Sequence, residues 1–268
     1  MVSDVLVISD LHLGSDNCQA KSLTQFLEEI RRGKRKTKSL ILNGDLFDSM
    51  DFRRLNKHHW RVLSLLRKLS DQIEIIWING NHDGPAEFIS HLLGVNVYDE
   101  YILESGQKRI LFLHGHRFDE FIDNHPFVTA FADWIYRILQ KIDQSHSFAK
   151  YAKQRSKTFL RCAQKIEADS KEYARKLNCL AICCGHTHHA QTSNQGITNF
   201  DQIEYFNSGC WTEKPCHYLA ISEGKIELCS YEGIEENNGK LELINETISS
   251  KRELFPELEL SQTHKEIQ

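Results

Sequence analysis

The chain has 268 residues and a mass of 31.2 kDa, enough for one large domain or one domain with an insertion. Its 40% hydrophobic and 26% charged content suits a globular protein, and no run approaches the roughly 20 apolar residues of a membrane-spanning helix. A formal charge of −4 argues against a general nucleic-acid binder.

The first residues, VSDVLVI (2–8), read as a strand that opens the fold. They lack the basic start and long apolar core of a signal peptide, so a cytoplasmic protein is expected. Short apolar runs then recur at 5–9, 39–43, 73–79, 109–114 and 180–184. Each has strand length and near-continuous hydrophobicity, as strands buried on both faces do. Between them, 22–32 and 53–69 carry apolar residues at three- and four-residue steps, the pattern of amphipathic helices. Such alternation predicts an α/β or α+β layered domain. Further strands are expected at 203–207 and 217–231, and there is no internal repeat.

The stretch 120–177 interrupts this rhythm. Pro126 can open a helix at no hydrogen-bond cost, after which Phe127, Phe131, Trp134, Ile138 and Ile142 share a face. A second helix is expected over about 147–177, so the two form an inserted helical hairpin. Residues 146–166 contain six Lys or Arg and no acid. That run reads as a solvated helix face, a basic cap over an anionic substrate, or a peripheral contact with an acidic inner-membrane surface. Residues 233–268 hold eight acids and four bases, so this acidic tail alone carries the net −4. The eight cysteines include no CxxC pair and read as reduced thiols, with zinc at Cys210 and Cys216 as the lesser alternative.

Five polar clusters begin where apolar runs end: Ser9-Asp10-Leu11-His12, Gly44-Asp45-Leu46-Phe47-Asp48, Gly80-Asn81-His82-Asp83, His114-Gly115-His116 and Gly185-His186-Thr187-His188. Ligands of open α/β sheets bind beyond the carboxyl ends of strands, so the placement itself points to a site. Aspartate, asparagine and histidine together suit Mn²⁺, Fe²⁺ or Zn²⁺. The set is too large for one catalytic ion with an open position and large enough for two, with a carboxylate such as Asp45 between them. Asp10 to Asp45 spans 35 residues, Asp45 to Asn81 36, and Asn81 to His114 33, each one strand–helix–strand unit. His114 to His186 spans 72, and the surplus matches the insertion.

The ordered blocks SDLH, GDLFD, GNHD, HGH and GHTH over about residues 3–230 resemble the calcineurin-like metallophosphoesterase superfamily. Within it the chain is most similar to the UDP-2,3-diacylglucosamine pyrophosphohydrolase group of lipid A synthesis, on DLHLG, GDLFD, the insertion before GHTH, and NSGCWTE (207–213). The resemblance implies a four-layer β-sandwich flanked by helices, occupying 1–232 with the insertion at about 120–177. It implies Asp10, His12, Asp45 and His188 at one divalent ion and Asp45, Asn81, His114 and His186 at the other, Mn²⁺ before Fe²⁺ or Zn²⁺. It further implies in-line attack of a bridging hydroxide on a pyrophosphate or phosphodiester bond, with a UDP-linked acylated sugar as the substrate and UMP as product. His82 then contacts phosphate or protonates the leaving oxygen, and Asp83 orients it.

That group usually carries Arg where this chain has His82 and Asp where it has His116. A histidine at position 82 is what the superfamily's ordinary phosphomonoesterases and phosphodiesterases use, so a broader esterase of nucleotides or lipid phosphates is the alternative. Binding scaffolds of the superfamily lose metal ligands, whereas every expected ligand is present here. Arg117 and Asp119 either hold the loop beside the metals or touch substrate. His58, His59, His125, His146 and His189 lack supporting spacing and read as structural or surface residues.

Overall fold

A computed structural model describes residues 3–119, 157–193 and 202–233, together with the strand pair Glu236–Asn237 and Lys240–Leu241. Strands β1 (Ser3–Ile8), β2 (Thr37–Asn43), β3 (Glu74–Ile78) and β4 (Asn96–Tyr98) run parallel. The hairpin of β10 (Cys216–Ser222) and β11 (Lys225–Tyr231) adds antiparallel to β1. It completes a six-stranded sheet of order β11-β10-β1-β2-β3-β4. The hairpin turns at Glu223 and Gly224, both with positive φ, as tight two-residue turns require.

The second sheet has the order β5-β6-β7-β9-β8. Its strands are β5 (Glu100–Ser105), β6 (Lys108–Leu113), β7 (Ala181–Cys184), β8 (Gln191–Ser193) and β9 (Glu204–Asn207). Here β6, β7 and β9 are parallel to one another, while β5 and β8 are antiparallel edges.

Period-two alternation sorts the side chains into layers. Val5, Val7, Ile41 and Ile76 of the first sheet meet Ile110, Phe112, Ala181 and Cys183 of the second in a core between the sheets. Their neighbours Leu6, Ile8, Leu40, Leu42, Ile75 and Trp77 point the other way. There they meet helices α1 (Ala20–Arg31) and α2 (Lys57–Leu69) and the short α3 (Glu87–Leu93). On α1, Leu23, Phe26, Leu27 and Ile30 form the buried stripe, at the helical spacing that marks an amphipathic face. Asn56 caps α2 by accepting from the N–H groups of His58 and His59, and the His59 ring accepts from Asn56 in return. That gives His59 the structural role expected of it.

The helix expected over about 147–177 is described as α4 (Lys157–Lys176). Its carboxyl half forms the fourth layer: Tyr173 and Ala174, with Leu177 just beyond the helix, cover Leu111, Leu113, Ile182 and Tyr205 on the outer face of the second sheet. The architecture is thus helix, sheet, sheet, helix, an α/β fold with two sheets flanked by helices, as expected. The first helix of the expected hairpin, half of the basic residues in the run and nearly all of the acidic tail lie outside the described residues. Among the described residues no helix is long and apolar enough to cross a membrane.

Strands β1, β2 and β3 of one sheet and β6 and β7 of the other all end at the same rim. Each continues directly into one of the five polar clusters. Because the two sheets share one core, truncating one of its two buried phenylalanines should loosen both. Phe112→Ala is expected to lower unfolding free energy by about 3–5 kcal/mol, read from the midpoint of a urea titration.

Candidate metal centre

The turns that carry the polar clusters are sharply bent. Asp10, His12, Asp45, His186 and His188 all adopt the left-handed region, with φ between 47° and 66°. For residues with a side chain this costs of order 1–3 kcal/mol each, so the surroundings must hold the bends. Backbone hydrogen bonds do so: the amides of Leu11 and His12 both donate to the Asp45 carbonyl, and Asp10 donates to the Gly44 carbonyl. The Asp10 carbonyl in turn accepts from Trp211, and the His114 carbonyl from Gly185. The late NSGCW segment serves this scaffold. Asn207 donates to the Gly185 carbonyl at 2.7 Å, and the Ser208 and Ser9 hydroxyls meet at 2.7 Å.

Gly44 and Gly80 show why glycine stands beside these turns. A Cβ on Gly44 would lie 2.2 Å from His114 Nδ1, and one on Gly80 would lie 2.2 Å from Asp45 Oδ1. Gly44 thus lets His114 approach across the seam between the sheets, and Gly80 makes room for Asp45 within its own sheet. The two side chains come within 3.2 Å, His114 Nε2 to Asp45 Oδ2.

Around that seam the ligand-type atoms converge in three overlapping groups. These are Asp10–His12–His188, His12–Asp45–His82 and Asp45–His114–His186, each with its atoms within 4.8 Å of one another. Asp45 belongs to two groups and joins the His12 side to the His114–His186 side. Asn81 is exposed on the same loop, one residue before His82, whose N–H donates to Asp45 Oδ1 at 3.0 Å.

The donor set fits divalent ions. His12 Nε2 and His188 Nε2 face each other at 3.0 Å, His188 Nε2 lies 3.2 Å from Asp10 Oδ1, and His12 Nε2 lies 3.7 Å from Asp45 Oδ2. Ligands held about 2.0–2.2 Å from one ion sit roughly 3 to 3.5 Å from each other. The rings of His114, His186 and His12 have a second contact as well. His114 Nδ1–H donates to the Asn43 carbonyl at 2.9 Å, which leaves Nε2 as the ligand nitrogen. That buried Nε2 has no hydrogen-bond partner of its own. His186 Nε2 pairs with Asp119 Oδ2 at 2.9 Å, and His12 Nδ1 lies 3.6 Å from Asp48 Oδ1.

Electrostatics give the same picture. Burial opposes ionisation of Asp10, yet His188 and His114 beside it bring its carboxyl down to about 2. Asp45, equally disfavoured by burial, is driven well below the carboxylate range by His114, His12 and His82. Burial works against a charge on His114, but Asp45 and Asp10 push that ring up to about 10. Protons thus balance the carboxylates where a cation would. His116 is the exception: burial, then the neighbouring His114 and His186, lower it to about 4.

His82 sits at the mouth of the cluster, its side chain one-third exposed with Nε2 4.0 Å from Asp45 Oδ2. Its Nδ1–H donates to the Asp48 carbonyl at 3.0 Å. The expectation that Asp83 orients this ring is corrected by the geometry. Asp83 is fully buried and accepts from the N–H groups of Gly80, Phe47 and the Trp77 indole, at 2.9, 3.0 and 3.2 Å. A carboxylate so occupied braces the loop rather than the ring. Asp48, which the sequence pattern does not single out within GDLFD, contributes a carbonyl to His82 and a carboxylate to His12 and to Arg54. Its spacing, three after Asp45, was the signal available. Among the described residues no thiol joins a ligand group, and burial pushes Cys210 up to about 11.

A family model described as Calcineurin-like phosphoesterase matches residues 3–190. No curated protein sequence matches the chain. Among solved structures, a predicted phosphoesterase of Streptococcus pneumoniae TIGR4 is 18% identical, covering 90% of this chain and 97% of its own, at a TM-score of 0.38. A novel archaeal phosphodiesterase is 13% identical, covering 84% and 98%, at 0.46. Wild-type Vps29 of Entamoeba histolytica complexed with Zn²⁺ is 15% identical, covering 89% and 95%, at 0.39. At these scores the structural likenesses carry no functional weight.

Two outcomes follow. Asp83→Ala leaves three buried donors unpaired and should cost about 2–5 kcal/mol of stability, measured by chemical denaturation with metal present. Since His114 holds a proton at pH 7, uptake of a divalent ion should release protons and weaken as pH falls. Calorimetry in two buffers of different ionisation enthalpy reads that release directly.

Proposed function

The chain belongs to the calcineurin-like phosphoesterase family, and on that premise we propose that it hydrolyses a pyrophosphate or phosphodiester bond in a UDP-2,3-diacylglucosamine-type lipid, releasing UMP. The observation that supports a phosphoester hydrolase most directly is the convergence of Asp10, His12, Asp45, His114, His186 and His188 at one rim, with Asp45 shared between groups. Asp10, His12 and His188, with Asp45, would hold one ion; Asp45, His114 and His186, with Asn81, would hold the other. Bound there, a pair of divalent ions supplies positive charge for the phosphoryl group and lowers the pKa of water. Mn²⁺ is our choice, with Fe²⁺ or Zn²⁺ as substitutes the same donors accept.

The chain's own groups do the rest. The Asp48 carbonyl holds His82 Nδ1–H, so Nε2 is the nitrogen turned toward the cluster and free to meet a phosphate oxygen. A proton held at that Nε2 is well placed for the leaving oxygen. The histidines around them keep the buried Asp10 and Asp45 carboxylates ionised against the cost of burial. A lipid-linked nucleotide would approach from the open side of His82. The basic run at 146–166 is proposed as its peripheral contact with the anionic cytoplasmic face of the inner membrane.

A second reading is favoured by His82 itself, which stands where the lipid A group usually has Arg: a phosphodiesterase or phosphomonoesterase of nucleotides or lipid phosphates. A screen of Mn²⁺-loaded protein against UDP-sugar lipids, cyclic nucleotides and aryl phosphates separates the two. UMP release from the UDP-sugar lipid supports the first, and turnover restricted to the other classes supports the second. Asp45→Ala should cut turnover by more than about a hundredfold; unchanged turnover would remove the basis of both.

A further inference from the structure

The turn after β6 carries a set of contacts that the ligands alone do not explain. His116–Phe118 forms a single 3₁₀ turn, and Asp119, which follows it, places Oδ2 2.9 Å from His186 Nε2. Both partners are largely shielded, with His186 8% and Asp119 13% exposed. Arg117, on the same turn, donates to Glu100 Oε2 at 2.9 Å. Tyr173 of α4 donates to the same carboxylate at 2.9 Å, and the Arg117 guanidinium lies 5.3 Å above the Tyr173 ring. A continuous path therefore runs from α4 through Glu100 and Arg117 to Asp119 and His186.

We propose that Asp119 is a positioning residue for His186, and that the Arg117–Glu100–Tyr173 strap holds Asp119 in place. The inference rests on the dinuclear reading above and goes beyond it by giving one of the two ions its own handle. The reason is imidazole chemistry. A carboxylate on Nε2–H fixes the tautomer with its lone pair on Nδ1, orients the ring, and raises its basicity as a ligand. His186 groups with Asp45 and His114, whereas His12 and His188 group with Asp10. Loss of Asp119 should therefore weaken the ion on the His114–His186 side and spare the other. The strap acts on the same ion at one remove, because Tyr173 and Glu100 touch the turn and not the ligands.

The test is Mn²⁺ binding to the full chain, with stoichiometry and affinity from calorimetry and the spin-coupled pair followed by electron paramagnetic resonance. Wild-type protein is expected to take two ions. Asp119→Ala should lose about tenfold to a hundredfold in affinity at one site and show an uncoupled Mn²⁺ spectrum at intermediate loading. Asp119→Asn keeps an oxygen that accepts from His186 and should recover part of the loss. Tyr173→Phe should shift the same site by a few-fold and leave the other unchanged. Thermal unfolding of each variant without metal separates a folding defect from a ligand defect. Equal weakening of both sites by Asp119→Ala, or of neither, overturns the positioning role while leaving the dinuclear reading intact. A wild-type chain that binds fewer than two ions removes that reading and, with it, this one.

Discussion

The approach of Asp45 to His114, 3.2 Å between Oδ2 and Nε2, is the constraint around which the molecule is arranged. The two residues belong to different sheets, so they can meet only if the sheets pack face to face with their strand ends level. The shared core of Val5, Val7 and Ile41 against Ile110, Phe112 and Ala181 sets that alignment. Gly44 removes the side chain that would keep the two loops apart, and Gly80 leaves room for the Asp45 carboxylate. Asp45 Oδ1 is met by the His82 amide and His114 Nδ1 by the Asn43 carbonyl, which leaves Oδ2 and Nε2 facing each other across the seam.

Around this pair the buried polar groups divide into two kinds. Asp10 and Asp45 present carboxylates to the rim, whereas Asp83, Asn207 and Ser208 spend their hydrogen bonds on backbone and loop. The second kind gives the first its shape. The Asp83 anchor on the Gly80 and Phe47 amides and the His82 amide on Asp45 Oδ1 together fix the loop carrying Asn81 and His82 relative to Asp45. Asp48, Asp119 and the Asn43 carbonyl then set the rings themselves. The chemistry of the centre is thus a property of several layers of contact, with the ions' ligands as the innermost.

The long, fully buried strands were readable from their apolar runs, because burial on both faces leaves few polar letters to obscure the signal. The edges were not. Asn96–Tyr98, Glu100–Ser105 and Gln191–Ser193 are short or only partly buried, so no periodicity accumulates, and α3 spans too few turns to show one. In the centre, residue types and spacing marked Asp10, His12, Asp45, His114, His186 and His188 as a set. Direction was illegible. Nothing in GNHD states that Asp83 faces inward to Trp77 rather than toward His82, and nothing in HGHRFD states that Asp119 reaches His186. Such choices are made by loops closing on one another from different strands, which a linear reading cannot follow.

The left-handed backbone at Asp10, His12, Asp45, His186 and His188 makes these positions doubly selective. Glycine, asparagine and aspartate tolerate such a bend, while valine, isoleucine and threonine resist it strongly. Amino-acid replacement here is therefore filtered by torsion before any question of reactivity arises. The cradle's outline is written in the main chain, and it should outlast the loss of its reactive groups: a descendant that abandoned hydrolysis would retain the same curled rim, available for grasping something else.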